Sequence, residues 1–71
     1  MLFAIRLVQK PSKKETGELI FDVVEDLKNK FKGKEWSVSL ESYDEKNGTY
    51  ELIITTSDKQ LKEYIEQNYG E

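Results

Sequence analysis

From Leu2 to Val8 the chain reads as a β-strand, with Phe3, Ile5 and Leu7 on one face and Leu2, Ala4, Arg6 and Val8 on the other. Successive strand residues point to opposite sides, so Arg6 marks the second set as the outer face and the first is expected in the core. A polar stretch, Gln9 to Glu15, follows. Ile20, Val23, Val24, Leu27 and Phe31 then recur at the spacing of one helical face, with Glu18, Asp22, Glu25 and Asn29 opposite. Two starts compete for this helix. Ser12 stands at capping-box spacing from Glu15, whereas a cap at Thr16 places Gly17 in the first turn rather than mid-helix, where glycine is costly. Acidic residues in the first half and Lys28, Lys30 and Lys32 near the end suit the helix dipole. Gly33 predicts a left-handed stop.

Trp36, Val38 and Leu40 alternate with Ser37, Ser39, Glu41 and Tyr43 in a second strand, and Tyr50, Leu52 and Ile54 alternate with Glu51, Ile53 and Thr55 in a third. Asp44 to Gly48 signals a hairpin between them. A one-residue slip would turn either strand over, so parity favours an odd-length loop. Lys46-Asn47-Gly48 pairs Glu45 with Thr49, sets Leu40 opposite Ile54, and puts Gly48 left-handed in a bulge. Ser57-Asp58-Lys59-Gln60 has the form of a second capping box, and Leu61, Tyr64, Ile65 and Tyr69 stripe a helix from about Asp58 to Asn68, ended by Gly70.

Three strands bury two helical stripes most economically in two layers. The fold class expected is α+β: a β-α-β-β-α sandwich over residues 1–71, with a three-stranded antiparallel sheet in the order 1-3-2. Thr49 to Thr56 is then central and both helices share one face, as in a split ferredoxin-like unit without its last strand. Trp36, Leu40, Leu52, Ile54, Ile5, Val24, Leu27, Leu61 and Ile65 are the predicted core.

The chain has 71 residues, no cysteine and no histidine. Disulfides and thiolate zinc sites are therefore excluded, and so is the commonest acid/base group near neutral pH. Hydroxyls such as Ser37, Ser39, Thr49 and Thr55 have no histidine to activate them. The carboxylate pairs Glu25-Asp26 and Asp44-Glu45 read as solvated surface. No catalytic, cofactor or metal residue is predicted, and the chain is expected not to be an enzyme. No apolar run approaches a signal segment or a membrane span, which gives the expectation of a cytoplasmic protein, a monomer or weak dimer. The single alanine, Ala4, lies outside the helices, unlike the alanine-rich helices of idealised designs.

Three surface features could meet a partner. Lys10, Lys13 and Lys14 precede a predicted helix start, where anions are favoured, and they carry the alternative reading of a nucleic-acid accessory. The net charge of −3 argues against it. Leu2, Ala4, Val8, Tyr43 and Ile53 would form an apolar patch on the outer sheet face. Glu18, Asp22 and Glu25, with Glu63 and Glu66 on the last helix, would present negative charge to a basic partner.

The element order and the segment Thr56-Ser57-Asp58-Lys59-Gln60, followed by a helix with Glu63 and Glu66, resemble the DinI-like family. The resemblance implies a small regulator that modulates a DNA-repair filament through an acidic last helix, although Lys59 and Lys62 interrupt that helix here. The leading expectation is a non-catalytic regulatory or inhibitory module that binds another protein, with Glu63, Glu66, Tyr43 and Ile53 as candidate contact residues. A designed or model domain with no natural ligand is the other alternative.

Overall fold

In a computed structural model that describes residues 1–13 and 16–70, seven elements follow one another. They are β1 (Phe3–Gln9), β2 (Ser12–Lys13), β3 (Leu19–Ile20), α1 (Asp22–Lys30), β4 (Trp36–Asp44), β5 (Thr49–Thr56) and α2 (Lys59–Asn68). The main sheet is antiparallel in the order β1-β5-β4, so Thr49–Thr56 is the central strand. Alternation decides which of its residues are covered: Leu52, Ile54 and Thr56 are buried, while Ile53 and Thr55 between them are partly exposed.

Val23 and Leu27 of α1, Leu61 and Ile65 of α2, and Leu7, Leu52 and Ile54 of the sheet form one buried cluster. Leu7 pairs with Leu52 and Ile5 with Ile54 across β1 and β5, and paired residues share a face. Both helices therefore cover the same side of the sheet in a two-layer α+β arrangement. The predicted core needs two corrections. Leu7 and Val23 belong at its centre, and Leu40 is 57% exposed. Ile5, Val24 and Trp36 pack against the cluster from partly exposed positions.

The first helix begins later than either cap predicted. Ser12–Lys13 pairs with Leu19–Ile20 as a short antiparallel ribbon, so Ser12, Glu18 and Ile20 are not helical. Lys14 and Glu15, the latter the proposed partner of Ser12, lie outside the described residues. Gly17 has φ +88°, a left-handed backbone that breaks any helix drawn from Thr16. The N-cap is Phe21, whose carbonyl accepts from the Val24 and Glu25 amides at 3.0 and 3.1 Å and whose side chain makes no cap bond. Its ring instead packs edge-on against Tyr50 at 5.5 Å. A tertiary contact, rather than a capping side chain, sets this helix start. Gly33, at φ +84°, takes the left-handed turn expected after the helix.

The hairpin keeps the faces predicted for the strand centres by a different route. Asp44 pairs with Thr49, leaving the four-residue loop Glu45-Lys46-Asn47-Gly48 instead of three. Asp44 Oδ1 accepts from the amides of Lys46 at 3.0 Å and Asn47 at 3.3 Å, and its Oδ2 from Asn47 Nδ2 at 2.7 Å. This self-bonded turn is the physical reason for the longer loop. An even loop would set polar against apolar, but a register shift between Leu40 and Ser42 leaves Glu41 unpaired and restores the parity. Leu40 then faces Leu52, and Val38 faces Ile54. Gly48 is left-handed, at φ +67°. A Cβ there would meet nothing within 4 Å, so Gly48→Val tests conformation alone. It should cost about 1 kcal/mol or more in urea unfolding, and unchanged stability would contradict the turn.

Candidate functional site

Asp58 caps α2, its Oδ1 accepting from the amides of Gln60 at 2.8 Å and Leu61 at 3.2 Å. The cap thus sits one residue later than a Ser57 box would place it. On the exposed side of α2, Glu63 and Glu66 stand where the sequence put them. Each faces a lysine one turn earlier, Lys59–Glu63 at 4.0 Å and Lys62–Glu66 at 2.7 Å. Lys62 also reaches over the Phe3 ring at 5.2 Å. The acidic helix is thus balanced along its own surface, which dilutes the field a basic partner would feel.

Tyr43 and Ile53 were expected on one outer patch. The unpaired Glu41 moves Tyr43 to the other side: it pairs with Tyr50 and stacks on it at 4.6 Å, on the face that carries the helices. Ile53 remains on the outer face, partly exposed, between Arg6 and Ser39. The Arg6 guanidinium there bonds Glu51 at 2.6 Å. Leu2 and Val8 are exposed on that face. The patch is smaller than predicted and is crossed by an ion pair.

Between the helices, the hydroxyls of Tyr64 and Tyr69 both donate to Asp26 Oδ2, the second at 2.8 Å. Tyr64 packs edge-on against Phe31 at 5.4 Å, and the Lys30 ammonium lies 5.0 Å from its ring centre. The Tyr64 bond holds the Asp26 carboxyl below its ordinary pKa, against the opposing effect of burial, with Tyr69 and Lys30 adding to the lowering. Burial, then the bond to Asp26, pushes the Tyr69 phenol up to about 12. Asp26 is therefore a charged acceptor and the phenols are neutral donors at neutral pH, so the cluster ties α1 to α2. A carboxylate pKa lowered by folding stabilises above the ordinary carboxylate range, and that stabilisation is lost as pH falls through it. Asp26→Ala should lower the melting temperature at neutral pH, with the gap to the parent protein closing in acid. A gap constant with pH would refute the assignment.

A cleft of about 360 Å³ opens where the sheet meets the start of α2, walled by Leu2, Trp36, Ser37 and Thr55. Most of the polar side chains around it are already engaged. Lys34 is 3.4 Å from Asp58, Ser37 and Thr55 share a hydrogen at 2.5 Å, and the Thr56 hydroxyl serves two backbone groups. Among the described residues no cluster of carboxylates has metal-binding geometry. No helix among them is long and apolar enough to cross a membrane. Of the basic loop, Lys10 is exposed, while Lys14 lies outside the described residues.

The surface that sequence reasoning missed is the free edge of β4. The strand is paired with β5 on one side only. Val38, Leu40 and Tyr43, all on the helix-covered side of the sheet, are 37%, 57% and 54% exposed. These apolar side chains extend past the cover the helices provide. The opposite edge, β1, carries Arg6 and is followed by Lys10-Pro11, the kinds of residue that discourage strand pairing. From Trp36 to Asp44 β4 has neither lysine nor proline, and its outer positions up to the irregularity at Glu41 are small serines, Ser37 and Ser39. The signal was present in the sequence as Ser37, Ser39 and Ser42, but a strand's neighbours must be known before it can be recognised as an edge. Comparison of the chain with protein-family models, with curated proteins and with solved structures finds no match in any of the three.

Proposed function

We propose that this chain is a small non-catalytic module that acts by binding another protein, and that the free edge of β4 is the contact surface. The observation that carries the reading is an edge strand whose regular stretch, Trp36–Leu40, has exposed Val38 and Leu40 and no gatekeeping lysine or proline. Unpaired strand backbone supplies hydrogen bonds to an added strand, and alternate side chains supply selectivity. Contact through Glu63 and Glu66 of α2, the DinI-like mode, is the second reading; it is supported by their exposure on one face of a capped helix.

The test is retention of proteins from the source lysate by the immobilised chain and two variants. Val38→Lys with Leu40→Lys puts charge on the exposed side of the edge and should abolish retention. Glu63→Lys with Glu66→Lys should retain the same proteins, since reversing exposed charges mainly alters steering. Circular dichroism verifies that both variants fold. The converse pattern would move the surface to α2, and loss in neither variant would reject both.

A further inference from the structure

We propose that the occupant of the β4 edge is a short extended segment with apolar residues on one face and lysine or arginine at its ends. This inference rests on the edge-binding reading above. The pairing surface is bounded, because the irregularity at Glu41 interrupts the strand after Leu40 and bulges twist an edge away from further pairing. That leaves Trp36–Leu40 as the regular stretch. On its helix side Trp36 is half-buried and Val38 and Leu40 are exposed, while Ser37 and Ser39 face the other way. A strand laid alongside would place its own apolar residues beside Val38 and Leu40 and small polar residues beside the serines.

Charge sets the ends. Glu35 before the stretch, and Glu41 and Glu45 after it, are exposed and have no ion-pair partner among the described residues. Glu51, Glu63 and Glu66 are each paired with a basic side chain, while Glu18 and Glu25, exposed and without an ion pair among the described residues, lie before and within α1. Of the two lysines that flank β4 in sequence, Lys34 is tied to Asp58, and Lys46 lies beyond the irregularity in the hairpin loop. Cationic ends on the incoming strand would meet these carboxylates. A second copy of the chain fits poorly by the same argument. Antiparallel self-pairing of the whole stretch centres on Val38 and sets Glu35 of each copy across from Glu41 of the other, and like charges directly opposite are destabilising.

The test uses the full chain and two end-blocked peptides, Lys-Val-Thr-Val-Thr-Val-Lys and the same sequence with glutamate at both ends, followed by amide NMR titration. The lysine-ended peptide should shift amides centred on Trp36–Leu40 and bind about three- to tenfold more tightly than its counterpart. That gap should narrow as salt rises. Glu35→Lys with Glu41→Lys should invert the preference. Equal binding of the two peptides at β4 would overturn the charge requirement while leaving the edge reading standing. Shifts elsewhere, or none, would overturn both. Shifts at Trp36–Leu40 that grow with protein concentration in the absence of peptide, with a doubled sedimentation mass, would make a second copy the occupant and overturn the proposal.

Discussion

Truncation of Leu52 or Ile54 to alanine should lower the unfolding free energy by about 2–5 kcal/mol. Both side chains are fully buried on the central strand. Leu52 is flanked by Leu7 on β1 and Leu40 on β4, and Ile54 by Ile5 and Val38. The helices close over them with Leu27, Leu61 and Ile65, so the cavity left by truncation is walled by β1, β4 and both helices and cannot collapse without shifting packed elements. A chain of this length holds about 4–11 kcal/mol in total, and either change removes a large share of it. Leu40→Ala provides the contrast: it deletes the same atoms from a side chain already 57% exposed and should cost about 1 kcal/mol or less. Urea unfolding of the three variants would decide the matter. Equal losses at Leu40 and Leu52 would contradict the burial pattern.

Thr56→Val should cost about 1–3 kcal/mol, although it nearly preserves volume. Thr56 is 1% exposed and ends the central strand. Its hydroxyl donates to the Glu35 carbonyl at 2.9 Å and accepts from the Asp58 amide at 3.0 Å. One buried group thus joins the approach to β4, the end of β5 and the cap of α2. Valine would leave a part-buried carbonyl and amide without their protein partner, and losing such a bond costs more than the net gain of an ordinary one. Thr56→Ser keeps the hydroxyl and loses one methyl, so it should cost only about 1 kcal/mol. A valine variant as stable as the serine variant would show that the hydroxyl is not needed at this junction.

The second half of the chain was the more legible. The Trp36 and Thr49 strands and the Asp58 to Asn68 helix were predicted within about a residue of where they lie, because alternation, a cap and a helical stripe agree there. The stretch from Ser12 to Ile20 misled because its signals conflict. Ser12-x-x-Glu15 imitates a cap and Ile20 falls on the helical stripe, yet Gly17 adopts φ +88° and Leu19–Ile20 pairs with Ser12–Lys13. Phe21 then starts the helix by packing on Tyr50, a residue distant in sequence. For the candidate surface the sequence supplied Glu63, Glu66 and Ile53 at their true positions and misplaced Tyr43, because a bulge at Glu41 cannot be read from alternation alone.

By itself the sequence determined the three long strands and two helices, the central place of Thr49–Thr56 and the apolar face at each strand's centre, since these follow from local periodicity, parity across one hairpin and the handedness of the crossover. Tertiary structure alone decided that the helices leave Val38 and Leu40 exposed and that Tyr43 changes sides. These two depend on tertiary packing and on a bulge that no spacing along the chain fixes, whereas the lysine–glutamate pairs follow the i,i+4 spacing of the helix. A pattern records which side of a strand is apolar; how far a neighbouring helix reaches over that side is settled only when both are packed.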